Sequence, residues 1–308
     1  MTMYLSSFGV ALGDFVPLDR LPGTSAADVA DHLADGLSGV RVSHASPFEL
    51  ATRAVRRSLR GGSAEPVDHI VFATATANAR DATSYELADF LRACDLVETP
   101  VVGTGMNRCA NFGALLGVGG SFLHAGTARK VLLVTADGPP LGERILAGGI
   151  GIFSDGAAGA VLSRAAPPGP HFVVRGHRTV SDARLAAAPD LLSDPRAAMR
   201  FLDRIDNALD SLLSDSGTTR EDITILVTNN YLTSTVEQIA EIMDVPNATV
   251  FRDSYEFGHC FAADPLLALS ELAASQRLVG TNVLVAATAI NIWSLTLLQY
   301  GRGVREHS

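Results

Sequence analysis

Cys109 sits where an extended apolar run, Val101-Val102-Gly103, passes through Thr104 to Arg108 into a helical stretch. That stretch reaches about Leu123 and closes at His124-Ala125-Gly126. A thiol in the first turn of a helix faces unsatisfied backbone N–H groups and the positive end of the helix dipole, and both favour thiolate over thiol. The competing reading is an inert cysteine packed as a small hydrophobe. Position alone leaves the two level. A thiolate nucleophile also needs a proton acceptor nearby and surroundings that stabilise the resulting ion pair. His259, in Gly258-His259-Cys260, is the imidazole to weigh for that part. Asp264, one turn further on, is the better-placed carboxylate to orient it, although a charge at a helix start is equally expected there. Asp253 and Glu256, which flank the histidine, read as surface loop charges.

The remaining reactive side chains read more plainly. Asp155 lies between Ser154 and Gly156 in a Gly-rich apolar stretch, and a turn residue bonding nearby backbone is expected rather than a catalytic carboxylate. Gly103-Thr-Gly105 precedes a helix but lacks the third glycine and later acidic partner of a dinucleotide fingerprint, so it reads as close backbone packing. Cys94 and Cys260 read as buried thiols. His32, His44, His69, His124, His171, His177 and His307 share no spacing and are expected to be structural or exposed.

The elements that must position these residues occur twice in the same order. In the first half a helix pattern spans Pro47 to Leu59, with Phe48, Leu50, Ala51 and Ala54 at helical spacing. A strand at Ile70 to Ala75, a helix around Tyr85 to Cys94, a short strand at Val101, the Cys109 helix and a strand at Val131 to Thr135 follow. The second half repeats this with a helix from about Ala197 to Leu213, the strand Ile223 to Thr228 and a helix at Thr235 to Met243. A short strand at Thr249 to Phe251, a helix from about Cys260 to Ser275 and the strand Val283 to Ala287 complete it. Strands alternating with helices imply an α/β fold with a mixed sheet covered on its faces. The halves are expected at residues 1–164, carrying the cysteine, and 170–308, with the Pro-rich run from Ala165 to Gly169 between them. Superposing them sets Cys109 opposite Gly258-His259-Cys260, which brings thiol and imidazole toward one central site.

Composition narrows the function classes. The chain has 308 residues, enough for one large domain or two fused halves. Three cysteines without metal-like spacing indicate neither a disulfide framework nor a zinc site. A formal net charge of −9 argues against a general nucleic-acid binder. The N-terminus lacks the charged start and apolar core of a signal peptide, and no apolar run is long enough to span a bilayer. A soluble, cytoplasmic protein with no membrane association is expected.

At this point the chain resembles the thiolase superfamily, and within it the β-ketoacyl-acyl-carrier-protein synthase III branch and its acyltransferase relatives. The stretch Cys109-Ala-Asn-Phe-Gly-Ala-Leu-Leu-Gly-Val-Gly, continued by Leu123 to Asp137, is similar to the family's nucleophile helix, turn and following strand. Gly151-Ile-Phe-Ser-Asp155-Gly-Ala-Ala-Gly159 resembles its Phe-Gly-Asp-Gly-Ala-Gly-Ala segment, and Gly39-Val-Arg41 its Thr-Gly-Ile-Arg signature. The resemblance implies a thiolase-like, five-layered α-β-α-β-α arrangement of two pseudo-repeated halves. It also implies a homodimer and an acyl group carried on Cys109 as a thioester. The donor would be coenzyme A or an acyl carrier protein. No cofactor or metal is implied beyond the substrate itself, an acyl group linked to coenzyme A or phosphopantetheine. Arg41 becomes a substrate-binding candidate on this match. The arginines Arg53, Arg56, Arg57 and Arg60 read by default as a solvated helix face, and more sharply as a docking patch for an acidic carrier or a coenzyme phosphate. The polar segment from Pro17 to Ser38 is a candidate for shaping the entrance.

The match departs from the family at its catalytic residues. The family's His lies in Pro-His-Gln-Ala-Asn, matched here by Thr228-Asn229-Asn230-Tyr231-Leu232, so Asn229 stands in the His place and Asn230 beside it. The family's Asn lies in Gly-Asn-Thr-Ser-Ala-Ala, matched by Gly258-His259-Cys260-Phe261-Ala262-Ala263, so His259 stands in the Asn place. The pair is exchanged. Decarboxylative condensation needs two donors on the extender's thioester oxygen, which Asn229 and His259 could still supply. His259 as a base would instead activate Cys109 or an incoming alcohol or amine, giving acyl transfer. The family's Gly-rich turn before its last strand is replaced by Thr288-Ala289-Ile290-Asn291, so Ala289, Ile290 or the Asn291 side chain become candidates for a second oxyanion donor. The leading expectation is a ketosynthase III-like acyltransferase of fatty acid, polyketide or other secondary-metabolite synthesis. Condensation with a malonyl-thioester is the alternative, and a non-catalytic partner subunit the third.

Overall fold

The computed structural model describes residues 1–60, 66–76, 82–139, 144–146, 150–186, 195–251, 257–275 and 279–303. Along the first half run β1 (Met3–Leu12), β2 (Asp14–Pro17), α1 (Ala26–Ala34), β3 (Gly39–Val42), α2 (Pro47–Arg60) and β4 (His69–Ala73). Then come α3 (Ala82–Ala93), β5 (Val101–Thr104), α4 (Asn111–Ala125), β6 (Lys130–Asp137) and β7 (Gly156–Ser163). The second half holds β8 (Pro170–Ser181), α5 (Ala183–Ala186), α6 (Pro195–Ser216), β9 (Ile223–Thr228), α7 (Thr233–Met243) and β10 (Thr249–Val250). It ends with α8 (Asp264–Ser275), β11 (Asn282–Ala289) and β12 (Ile292–Arg302).

Ten strands hydrogen-bond in the order β10-β9-β11-β12-β8-β1-β7-β6-β4-β5, while β2 and β3 pair separately. Among the five strands of the first half, β7 is antiparallel to both β1 and β6, and β6, β4 and β5 run parallel. The second five repeat that pattern: β12 is antiparallel to β8 and β11, and β11, β9 and β10 run parallel. The duplication legible in the sequence is thus a duplication of topology. Its two sets join edge to edge through antiparallel β1 and β8, so they share one hydrogen-bonded sheet.

Among the described residues, two outer apolar cores and a central one that spans both faces of the middle helices build five layers. Phe48 and Leu50 of α2 and Phe90 of α3 cover one outer face, against Phe72 and Leu132. Phe201 and Ile205 of α6 and Ile239 of α7 cover the other, against Leu284 and Leu295. Between the sheet halves lie α4 and α8, where Phe112, Leu115, Leu266 and Leu269 meet Val71 and Leu133 on one side and Val227 and Val285 on the other. A helix pressed between two sheets must be apolar all round, which is why α4 reads as a Gly/Ala/Leu run rather than an amphipathic stripe. A Cβ at Gly113 would lie 1.8 Å from Ser294 Oγ, so only glycine lets α4 approach β12 this closely.

Element boundaries differ from the sequence reading mainly at helix starts. The helix expected from Cys260 begins at Asp264, after a 3₁₀ turn over Phe261–Ala263. The Cys109 helix likewise begins at Asn111, after a 3₁₀ turn over Arg108–Ala110. Within the polar stretch from Pro17 to Ser38, α1 forms behind a capping box in which Ser25 and Asp28 satisfy each other's backbone N–H groups. Leu18, Leu21, Leu37 and Val40 around it pack against Ile152. No helix among the described residues is long and apolar enough to cross a membrane.

Candidate active site

Two sharp turns deliver the thiol and the imidazole. Parallel β5 ends at Thr104, and the chain reaches Cys109 through Arg108, whose φ of 47° is left-handed. Bulky residues adopt that region only where surrounding structure enforces it, and here it tightens the strand-to-helix turn so that Cys109 lies in the 3₁₀ turn just ahead of α4. Phe261 makes the matching turn before α8 with a φ of 55°. The residue matched to Cys109 by this turn geometry is therefore Ala262, just beyond the segment Gly258-His259-Cys260 that the sequence superposition set opposite it. His259 reaches the site from the stretch ahead of its turn. That stretch is pinned as a short strand: His259 N–H donates to Ile152 O at 2.7 Å, Ser154 N–H donates to His259 O at 2.8 Å, and Gly258 N–H donates to Gly39 O at 3.1 Å. A Cβ on Gly258 would fall 2.0 Å from Ile152 O, so glycine is required there. The result is His259 Nε2 lying 2.9 Å from Cys109 Sγ, both side chains buried.

Asp264 completes the arrangement. Its carboxylate accepts from His259 Nδ1, from Asn230 N–H at 2.6 Å and from Cys260 N–H at 2.8 Å, and it opens α8, where the helix dipole favours a negative charge. Burial, the largest single influence on His259, disfavours its charged form. The charges of Cys109 and Asp264 and their hydrogen bonds outweigh that and raise the imidazole to about 10. A proton held that firmly keeps the imidazole charged beside the sulfur. Phe153 and Phe261 stack alongside His259, with ring centroids 5.7 and 5.6 Å away, and Tyr231 tilts against it at 4.8 Å. These rings keep water away from the pair. Alkylation of Cys109 by iodoacetamide is accordingly expected to stay nearly flat from about pH 6 to 9, because the imidazole keeps its proton across that window. In His259→Ala the rate should climb with pH as the thiol ionises unaided. A parent profile that climbs in the same way would contradict the ion pair.

Comparison with known proteins places this geometry. The family model for the C-terminal part of 3-oxoacyl-[acyl-carrier-protein] synthase III matches residues 213–294. The chain is 24% identical over 270 residues to the β-ketoacyl-[acyl-carrier-protein] synthase III of Aquifex aeolicus, covering 82% of this chain and 83% of that one. Among solved structures it superposes on the acyltransferase ChlB3 with a TM-score of 0.82 at 22% identity, over 99% of each chain. It matches the 3-oxoacyl-(acyl carrier protein) synthase III of Pseudomonas aeruginosa PAO1 with a TM-score of 0.78 at 21% identity, over 99% of this chain and 100% of that one. Over most of its length the chain is similar to 3-oxoacyl-[acyl-carrier-protein] synthase III proteins. The layered α/β frame is the thiolase-like fold of those synthase structures.

Within this ketosynthase III-like frame the other expected site residues take different places. Asn229 is fully buried, and its amide donates to Cys109 O at 3.4 Å and Phe261 O at 3.2 Å while its Oδ1 accepts Thr288 N–H at 2.6 Å. It clamps both turns together, and its donors point at carbonyls rather than at open space. Asn230 was expected to bind substrate. Its amide donates instead to Phe257 O and, at 3.4 Å, to Gly258 O, which holds the His259 strand. Arg41 lies with its guanidinium carbon 5.5 Å from the Phe15 ring centroid and 4.8 Å from that of Phe257, on the strand beside the His259 segment. Ala289 ends β11, and Ile290 and Asn291 form a two-residue turn to β12, where Asn291 O accepts Asp182 N–H at 2.9 Å.

Asp155 lies directly before β7 rather than in a turn and is an ion-pair partner: both its oxygens lie 3.0 Å from Arg144 Nη2, and it accepts Ser43 N–H at 2.6 Å. Each side chain is 5% exposed. Arg144→Ala leaves a buried carboxylate uncompensated and is expected to destabilise the fold by about 3–5 kcal/mol in urea denaturation. A change near zero would show that solvent reaches Asp155. All four α2 arginines, Arg53, Arg56, Arg57 and Arg60, are exposed, and two of them also bond backbone, Arg56 to Ala93 O at 2.8 Å and Arg57 to Val10 O. Cys94 and Cys260 are buried with thiols pushed up by burial, Cys94 to about 11. Asp253 and Glu256 lie outside the described residues. Sequence reasoning passed over Tyr231 and Phe153. Tyr231 had a signal, because it occupies the alanine place of the family's Pro-His-Gln-Ala-Asn motif.

Proposed function

We propose that this chain is an acyltransferase that takes an acyl group from a coenzyme A or acyl-carrier thioester onto Cys109 and passes it to an oxygen, nitrogen or thiol acceptor. The observation that carries this reading is the Cys109–His259–Asp264 line, with sulfur 2.9 Å from Nε2 and Nδ1 on the carboxylate. The thiolate attacks the donor's carbonyl carbon, forming the new C–S bond. The donor's C–S bond breaks, and the leaving thiolate takes the proton from His259 Nε2. Acylation removes the sulfur's charge, one of the influences that hold the imidazole protonated, so burial then favours neutral histidine. Neutral His259 is the base the second half-reaction needs: it takes the acceptor's proton as the acceptor attacks, and Cys109 departs as thiolate.

Transfer is favoured over condensation by the state of Asn229. An enolate from malonyl-thioester requires two donors on one oxygen. Both amide donors of Asn229 bond backbone carbonyls, and its orientation is fixed by Thr288 N–H. Incubating the acyl-loaded protein with malonyl-carrier and, separately, with small alcohols and amines tests the choice. Acyl ester or amide without any β-ketoacyl product is expected. A β-ketoacyl product would make this a condensing enzyme. The intact triad speaks against a non-catalytic subunit, which has no use for it.

The relatives named as acyl-carrier-protein synthases support a carrier or coenzyme A thioester as donor and a place in fatty acid or polyketide synthesis. A homodimer would join through β5, which closes one end of the sheet and offers its outer backbone edge beside Met106, 92% exposed. A cytoplasmic location accords with this substrate supply.

A further inference from the structure

Acyl transfer through Cys109 passes through a tetrahedral carbon bearing a negative oxygen, and that oxygen needs donors already aimed at it. One lies at hand in the backbone N–H of Cys109 at the head of α4. The second cannot come from Thr288, whose N–H is taken by Asn229 Oδ1 at 2.6 Å. Beyond Thr288 the strand runs straight into the two-residue turn Ile290–Asn291, with no glycine loop to turn an amide back toward the sulfur.

Tyr231 occupies this gap. Its ring leans on His259 at 4.8 Å, its hydroxyl donates to Thr288 O at 2.8 Å, and the side chain is 5% exposed. The hydroxyl lies beside the Cys109 sulfur while bonded to Thr288 O, and burial together with the Cys109 charge pushes its ionisation well above the ordinary tyrosine value, so it keeps its proton at every working pH. We propose that the Tyr231 hydroxyl is the second donor to the oxyanion formed on the Cys109-bound carbonyl. The reaction requires no movement of the ring. Rotation about the C–O bond swings the hydrogen from Thr288 O to the new oxyanion, and swings it back when the intermediate collapses. In balance, the C–S bond to Cys109 forms as the carbonyl π pair moves onto oxygen. That pair then returns as the donor's C–S bond breaks, and Tyr231 keeps its proton throughout.

This inference rests on the acyl-transfer reading, and the test separates the two. Tyr231→Phe keeps the ring and its packing and removes one hydrogen bond, so the fold is retained. Two rates are read on Cys109: acylation by an acyl-coenzyme A, which builds an oxyanion, and alkylation by iodoacetamide, which displaces iodide and builds none. Acylation should fall about 10²–10³-fold while alkylation holds at the parent rate. Acylation at the parent rate would overturn the assignment. Both rates falling together would also overturn it, because Tyr231 would then act on the thiolate rather than on the oxyanion. A parent protein that alkylates but never acylates would sink the transfer reading itself, a different outcome from either.

Discussion

Cys109→Ala is expected to accept no acyl group from any thioester, at that position or elsewhere. The expectation is total because nothing nearby can substitute. Cys260 is close in sequence to His259, but it is buried, its thiol is pushed well up by burial and the Asp264 charge, and it points toward Gly258 O at 3.9 Å. Cys94 lies in the outer α2–α3 core, with burial raising it to about 11. Neither offers thiolate at neutral pH, and thiolate is the reactive form. The loss of a small, 7% exposed side chain leaves the α4 turn intact, since Arg108 and the Asn229 clamp act on backbone. Incubation with acyl donor followed by weighing the intact protein reads the result. Undiminished acyl mass in the variant would remove the nucleophile assignment.

His259→Ala should lower transfer by about 10²–10⁴-fold, the usual range for loss of a positioned acid–base group. The imidazole acts twice, as acid to the leaving thiolate and as base to the acceptor, so both half-reactions should slow. The effect should appear in kcat rather than KM, because His259 is enclosed by Phe153, Phe261 and Tyr231 and faces the sulfur rather than an entrance. Steady-state rates at saturating donor check this. A parent-like kcat in a variant that melts normally would return His259 to a packing role.

How far the sequence carried this site depends on the range of each interaction. The order of elements was legible because helical and strand periodicity is local, and Cys109 was legible because a strand-to-helix handover is local too. His259 and Asp264 were legible as a pair within one stretch, with Asp264 weighed as a helix charge as well. The register that brought His259 to Cys109 was not. Left-handed Arg108 and Phe261 mark the true correspondence, and no residue type announces a left-handed arginine or phenylalanine. The bonding of Asn229 was hidden for a similar reason. Its amide orientation is set by Thr288 N–H, 59 residues on and on a neighbouring strand. Tyr231 departs from the matched motif in sequence, but its place at the site becomes visible only when the β11 end, Cys109 and the His259 segment are seen to converge. Arg144 could not be paired with Asp155 from sequence, because ion pairs inside a core leave no periodic trace.

The account stands most directly on whether sulfur 109 carries the acyl group. Incubating the full-length protein with a panel of acyl-coenzyme A and acyl-carrier thioesters, weighing it intact and mapping the modified peptide, answers that. One added acyl mass on the Cys109 peptide, discharged when an amine or alcohol acceptor is supplied, is the predicted result. A protein that gains no mass from any donor, or gains it on another peptide, would contradict the account.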